Sequence, residues 1–564
     1  MLLRHPFVAA LLAATPLLAQ RVPELEPNNS VLQAQTLVAG QHVTANLVAG
    51  EQDWFAFTLA AAQRVSVRTS GNFATNPSVD TFVAIYDAAG ATRLAWNDNA
   101  DGSHSDCGVT LPAGNYTALV MGKLATTAGD YGVDFVALPF EPIDANEASE
   151  PNGNPSGGGS PSPLLLGDTV AGELATAADV DWWQFTLTVP SIVQACAFDD
   201  GGVPQLDQAR LQFFQESTPG SWTAIGTVGQ NSTSHRAFNL NHTGMLPAGN
   251  YAIEVSSATT TAAGTAPWNY LKAGRYALRT CVVEMTGFGA VPEGPEPNNN
   301  AANAPFLVLG QDATGNISGS NEGDWYAFFV NGPTTVGAMC ETGPAPGITG
   351  TTLRIYDGNG VAIATASGSS MTHGRLVATV REAGTYYLEV AGAVFAGAGN
   401  YVLRTGSCAP LFVASSVTTQ PPSTNACPGS NGLRPNLGVA SGEKPYLGTT
   451  FVMRLSNAVA NTIVVPMVGL SDTSAFGGTV PLPFDLTALG APGCFVRVDP
   501  LVTLGFLADA SGVAFVDFPL VPNLSQRGTA VFVQCLCFDP FLAGNTLQLT
   551  VSNDLRLIAG DRSF

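Results

Sequence analysis

Apolar and polar residues alternate over runs of five to eight positions along most of the chain, and Gly, Pro, Asn or Asp cuts off each run. A two-residue period bounded by turn formers predicts half-buried antiparallel strands. Few windows carry the 3.6-residue period of an amphipathic helix. The strands recur in a fixed order. "DTFVAIYDAAG" (residues 80–90) returns as "TTLRIYDGNG" (351–360), with a weaker version in "DQARLQFF" (207–214). "LPAGNYTALV" (111–120) returns as "LPAGNYAIEV" (246–255) and "REAGTYYLEV" (381–390), and each copy closes on "GDYGVDF", "GRYALRT" or "GNYVLRT". In "PAGNY" the glycine is expected to supply the positive φ of a tight turn, and the aromatic after it to enter the core.

Two further marks frame each copy. An acidic turn tag opens it, "ELEPNNS" at 24–30, "SEPNGN" at 149–154 and "PEPNNN" at 295–300. Asp53-Trp54-Phe55, Asp181-Trp182-Trp183 or Asp324-Trp325-Tyr326 follows. Internal repetition at this spacing predicts three β-sandwiches of ordinary domain size, over residues 21–140, 141–285 and 286–408. Residues 409–564 leave the pattern after a Pro/Ser/Thr-rich linker but keep alternating segments such as "GVAFVDFPL", and are read as a fourth β-sandwich of unknown role. The expected fold class is all-β.

The order EPNN, DW[FY]xF, an IYD strand, LPAGxYxxxV and GxY resembles the bacterial pre-peptidase C-terminal (PPC) domain. That domain is a jelly-roll-like β-sandwich related to the collagen-binding modules of clostridial collagenases. The resemblance covers residues 21–408 three times over and implies tandem jelly-roll-like sandwiches of an extracellular bacterial protein.

Composition narrows the function. Charged residues are 12% of the chain, and 43 acidic against 22 basic residues give a net charge of −21. Such a balance repels phosphate backbones and anionic lipid surfaces, so no nucleic-acid partner is expected. "MLLRHPFVAALLAATPLLAQ" at the start has the layout of a cleaved secretory signal over residues 1–20, and no later segment reaches membrane-spanning length. The expected location is therefore secreted or cell-surface, without membrane insertion.

Nine cysteines in a secreted chain suggest disulfides with one thiol left over. Cys196 and Cys340 occupy matching places after the DW motif, and Cys281 and Cys408 both follow the closing strand. The first copy lacks cysteine at both places. Their joint presence or absence predicts the pairs Cys196–Cys281 and Cys340–Cys408. Cys494 is expected to bond Cys535 or Cys537, and Cys107 and Cys427 stay unassigned.

A hard cation such as Ca²⁺ takes six to eight oxygens at roughly 2.3–2.6 Å, which carboxylates and amide carbonyls of a turn supply. Glu24, Glu26, Asn28 and Asn29 offer such a set. The resemblance implies that Asp53, at the DW position, completes it. The third copy offers Glu296, Asn298, Asn299 and Asp324 but has Gly294 at the earlier glutamate position. The second keeps Glu150, Asn152 and Asp181 but has Ala148 and Gly153, which makes it the weakest candidate. A possible structural Ca²⁺ is the one cofactor expected.

No H-E-x-x-H, G-x-S-x-G or Gly-rich phosphate loop occurs. His104-Ser105-Asp106 reads as an exposed turn, and "NDNADGSHSD" (97–106) lacks the last ligand of an EF-hand loop. The chain is therefore expected to be non-catalytic, a secreted cell-surface or matrix protein with adhesive or structural modules. The alternative is a targeting protein that carries a hydrolase to an extracellular polymer, collagen-like protein or polysaccharide, with Trp96, Trp222 and Trp268 as exposed anchors.

Overall fold

The computed structural model describes residues 21–560 apart from 72, 74–78, 101, 140–142, 149, 199–201, 204, 208, 230–237, 242–244, 258–271, 286, 288, 320–321, 370, 394–397, 412, 414 and 504. The signal segment 1–20 and Trp268 lie outside the described residues. The chain divides into two compact units. One joins residues up to 140 with those from 413 onward, and the other holds 141–412.

In the first unit, residues 21–138 form two five-stranded sheets. One runs in the order Arg21–Pro23, His42–Leu47, Gly129–Leu138, Gln63–Gly71, Asp106–Leu111; the other runs Gln35–Thr36, Gln52–Leu59, Gly114–Gly122, Thr81–Asp87, Arg93–Asn97. The two short entry strands pair in parallel, Arg21 opposite His42 and Gln35 opposite Phe55, while the other pairings are antiparallel. Burial follows the alternation read in the sequence, with Phe55, Phe57 and Leu59 inside and Ala56 and Thr58 less covered on the same strand.

The second unit repeats this order twice. Ala145–Asn146, Thr169–Leu174, Gly274–Glu284, Ser191–Phe198 and Phe238–Asn241 match the first sheet, as do Ala290–Pro292, Asp312–Ile317, Gly399–Cys408, Thr334–Thr342 and Arg375–Val380. The last sandwich has a four-stranded second sheet, because a single bridge from Phe306 to Ala327 stands in for the short edge strand. The "IYD" strands of the first and third sandwiches carry a register shift at the same place, between Ile85 and Tyr86 and between Ile355 and Tyr356.

The "PAGNY" tyrosines are core residues in all three copies. Tyr116, Tyr251 and Tyr386 donate to the carbonyl four residues back, at 2.9, 2.8 and 3.1 Å, and stack on Phe57, Phe185 and Phe328. The glycine before them differs between copies. Gly249 and Gly384 have the expected positive φ, 159° and 158°, at the edge towards extended backbone. At Gly114 a Cβ would stand 3.3 Å from the Tyr116 hydroxyl, so in the first copy the small residue makes room for the folded-back ring.

The C-terminal residues form a further sandwich in the first unit. Ser416–Thr419, Leu549–Ile558, Ala530–Phe538, Ile463–Gly469 and Val502–Thr503 face a three-stranded sheet of Asn436–Val439, Thr450–Ser456 and Ala514–Pro519. Phe451, Met453, Val516, Val533, Cys535 and Leu555 fill the space between them.

The disulfides differ from the expected pairs. Cys281 bonds Cys408, with Cα atoms 5.9 Å apart, and Cys427 bonds Cys494, at 5.1 Å. Strand register explains the correction. Cys340 lies opposite Leu403 whereas Cys408 lies opposite Thr335, five positions down the strand, which is about 17 Å. Cys196 faces Arg279, two positions from Cys281. The ends of the two closing strands instead meet each other, so the bond joins the second sandwich to the third rather than stapling either one. In the C-terminal sandwich, Cys535 and Cys537 lie on one face of their strand, inside the core cluster, where burial pushes both thiols up, Cys537 to about 12.

Candidate metal centre

Each acidic tag sits where a parallel entry strand ends. Past Pro23 the backbone continues the pairing for one more bond, from Glu24 N–H to the Thr44 carbonyl at 2.9 Å. The Glu24 carboxylate then accepts from Asn46 N–H at 3.0 Å and from the Asn28 amide at 2.8 Å. Glu26 accepts from Asn28 N–H at 2.9 Å, closing the turn, and the Asn28 carbonyl receives Trp54 N–H at 2.9 Å. The tag is thereby fastened to the DW strand, with Asn28 and Asp53 both 0% exposed.

Carboxylate oxygens of Glu24, Glu26 and Asp53 lie within 4.8 Å of one another. Tyr131, from the closing strand, donates its hydroxyl to Asp53 Oδ2. Asp53 Oδ1 and Asn28 Oδ1 are buried with no hydrogen-bond partner. Leaving such oxygens unpaired costs free energy unless a cation or water meets them. Glu24 and Glu26 also line a shallow open depression shared with Asn46, Glu51 and Asp130.

The same construction occurs in the other two sandwiches. Glu147, Glu150 and Asp181 converge in the second, and Glu293, Glu296 and Asp324 in the third. Glu147 N–H bonds the Ala171 carbonyl and its carboxylate accepts from Glu173 N–H; Glu293 does the same with Thr314 and Asn316. Asn152 Oδ1 with Asp181 Oδ1, and Asn298 Oδ1 with Asp324 Oδ1, are again buried without a partner.

These positions revise the residue set read from the sequence. Glu24, Glu26, Asn28 and Asp53 come together as expected, as do Glu296, Asn298 and Asp324. The first glutamate of the second and third copies is Glu147 or Glu293, one residue before Ala148 or Gly294, because those tags hold one extra residue between their acids. Counting back a fixed two positions from Glu150 and Glu296 hid them; the parallel pairing of the entry strand would have found them. Asn29 and Asn299 are exposed, in contrast to their fully buried neighbours Asn28 and Asn298. Glu51, Asp179 and Glu322 accept from the backbone N–H groups of Val48, Ala175 and Ser318 and so brace the turn before the DW strand.

Electrostatics mark the aspartates. Burial pushes Asp53, Asp181 and Asp324 up to about 8. The tyrosine hydroxyl on each pulls back down, and neighbouring glutamates add to the rise. Burial also raises Glu24 and Glu147. A cluster of acids that raises its own pKa values, with two buried oxygens lacking donors, has the chemistry of a hard-cation site.

Other expectations are corrected. His104-Ser105-Asp106 is buried, at 3%, 1% and 4% exposure, not an exposed turn. Its residues face different ways. Ser105 donates to the Thr81 carbonyl at 2.6 Å, Asp106 pairs with Ser66, and His104 Nε2 lies 3.3 Å from Ser441 Oγ, so no triad geometry exists. Trp96 is 3% exposed, and Trp222 is half-buried, edge-on to Trp182, so neither is a free anchor.

No curated protein gives a significant match. Among solved structures, the pre-peptidase C-terminal domain of a collagenase from Bacillus anthracis matches at 15% identity and a TM-score of 0.16, covering 18% of this chain and 93% of that one. A putative alpha-L-fucosidase from Bacteroides ovatus matches at 15% identity and a TM-score of 0.15, covering 42% of this chain and 38% of its own. Residues 51–122, which carry the DW strand, the IYD strand and the "PAGNY" turn, match the family model of the bacterial pre-peptidase C-terminal domain.

Proposed function

We propose that the chain is a secreted, non-catalytic protein of the cell surface or extracellular matrix, built from three PPC modules and a fourth sandwich, whose modules act in adhesion or spacing. In this reading each PPC module binds one structural Ca²⁺. The carrying observation is the same pair of buried, donor-less oxygens beside three converging carboxylates in every copy. Glu24, Glu26, Asn28 and Asp53 would hold the ion in the first module, with Glu147, Glu150, Asn152 and Asp181 in the second and Glu293, Glu296, Asn298 and Asp324 in the third. The metal would neutralise each acid cluster and pin the entering chain to the DW strand. The sugar- or collagen-targeting alternative loses two of its three anchors, since Trp96 is in the core and Trp222 packs against Trp182, and keeps Trp268, which lies outside the described residues.

Calorimetric titration of the metal-free, full-length secreted protein tests the reading. Three calcium ions per chain are expected, with dissociation constants on the order of 10⁻⁴–10⁻³ M and much weaker magnesium binding. Absence of calcium binding at millimolar concentration, with an unmoved melting curve, would reject it. Retention on insoluble collagen or polysaccharide would favour the targeting role instead.

A further inference from the structure

Within the first unit, ionisable groups are buried together where the first sandwich meets the C-terminal one. His42, Arg68, Asp134, Glu443 and Tyr446 are all 3% exposed or less. His42 Nδ1 lies 3.0 Å from Asp134 Oδ1, and Arg68 Nη1 lies 3.4 Å from Asp134 Oδ2. The other end of Arg68 donates to the Gly442 carbonyl at 3.3 Å, and its guanidinium sits over the Tyr446 ring, 3.6 Å from the centroid. Glu443 Oε1 accepts Val452 N–H at 3.3 Å, while Oε2 is buried with no hydrogen-bond partner. Gly132 makes space for the imidazole, since a Cβ there would stand 2.6 Å from His42 Cε1.

His42, Asp134 and Glu443 bring one ligand-type atom each within 4.8 Å, so a metal ion and a proton compete for the cluster. Charge decides between them. Arg68, Asp134 and Glu443 sum to −1 with a neutral imidazole. A proton on His42 brings the sum to zero, whereas a divalent cation would leave +1 beside an immovable guanidinium. Uncompensated charge in a dry interior is costly, so the proton is the better ligand.

We infer that this cluster is a proton-controlled latch, in which protonated His42, held by Asp134 and Glu443, fastens the C-terminal sandwich to the first and releases it on alkaline deprotonation. The charged groups that act on His42 are Asp134 from the neighbouring strand and Glu443 and Asp517 from the C-terminal sandwich; Arg21, opposite His42 on the entry strand, is itself 3.0 Å from Asp517, and Arg68 reaches the cluster through Asp134 and lies over Tyr446. Asp106 acts on Arg68 from behind, and His104 lies further along the joint at Ser441. Burial alone would lower the pKa of His42, but Asp134, backed by Glu443 and Asp517, raises it to about 9. Burial raises Glu443 too. A histidine raised in the fold contributes stability that is complete below its ordinary value and is lost as pH climbs through about 9.

Hydrogen exchange on the full-length protein between about pH 7 and pH 10, corrected for intrinsic rates, reads the latch. Amides at the joint, around residues 40–45 and 441–449, should lose protection at least tenfold with a midpoint near 9, while the core strand Ala530–Phe538 stays protected. His42→Gln should show the loosened joint already at neutral pH with no further change. Glu443→Gln, which removes one of the charges favouring the imidazolium, should move the midpoint to lower pH. A wild-type joint that stays protected to pH 10, or a His42→Gln profile matching the wild type, overturns the latch. So does one equivalent of zinc protecting the joint at alkaline pH in wild type but not in His42→Gln, which would make the cluster a metal site.

Discussion

The Tyr131 hydroxyl donates to the Asp53 carboxylate, and the same bond recurs from Tyr276 to Asp181 and from Tyr401 to Asp324, at 2.6 Å in the last two. The closing-strand aromatic of each copy thus holds the aspartate of the DW motif. Two sequence marks far apart in the chain form one site. Trp183 and Tyr326 extend the link in the second and third copies, each bonding the tyrosine oxygen, at 2.8 and 2.6 Å.

Tyr131→Phe should keep the fold but remove a donor to a buried carboxylate. Its cost should be about 1–3 kcal/mol in denaturant unfolding. Since that hydroxyl pulls the Asp53 pKa down, the variant should also bind calcium more weakly near neutral pH and approach wild-type affinity above pH ~9. Equal weakening at every pH would mean that the tyrosine acts on geometry rather than on the proton.

Burial pushes Asp53, Asp181 and Asp324 up to about 8, against 3.8 for an ordinary aspartate. A raised folded value means that metal-free protein loses stability as pH climbs from the ordinary value through about 8. Calcium takes the ionised form, so binding should release protons and tighten by up to about tenfold per pH unit below that point. Calorimetry in buffers of different ionisation enthalpy counts the protons. A binding constant flat between about pH 6 and 8 contradicts the assignment.

Glu147→Gln, Glu293→Gln and, in the first module, Glu24→Gln should each remove one calcium from the stoichiometry of the full-length protein. Asn29→Ala and Asn299→Ala, at exposed positions, should leave both stoichiometry and stability within about 0.5 kcal/mol of wild type. Loss of a site in either asparagine variant would restore those residues to the ligand set.

Cys281→Ser and Cys408→Ser should destabilise the second unit equally, and the double variant should be no worse than either, because all remove one bond. Closing a loop of 127 residues is worth at most about 5 kcal/mol in the chain-entropy picture. Cys196→Ser leaves the bond in place, so the protein should still yield the 281–408 cross-link. Peptide mapping without reduction should recover residue 281 joined to 408, and a peptide joining 196 to 281 would contradict the structure.

Local pattern was enough to read the strands. Alternation marks which residues of Gln52–Leu59 or Gly114–Gly122 face inward, because the pleat points neighbours to opposite sides whatever the partner strand. Repetition of short marks gave the three sandwiches, and the chemistry of Glu24, Glu26, Asn28 and Asn29, with Asp53 added by the family resemblance, gave one candidate ion. What the sequence left open depends on which strands become neighbours. Glu147 and Glu293 belong to the sites because a parallel pairing, not a fixed spacing, sets where each carboxylate falls. Cys281 meets Cys408 because two closing strands end side by side, a relation between modules that no repeat-to-repeat alignment contains. His42 and Glu443, about 400 residues apart, share a buried cluster only because the first and last sandwiches pack into one unit. A residue's chemistry is local, but its burial and its counter-charge are properties of the packed chain.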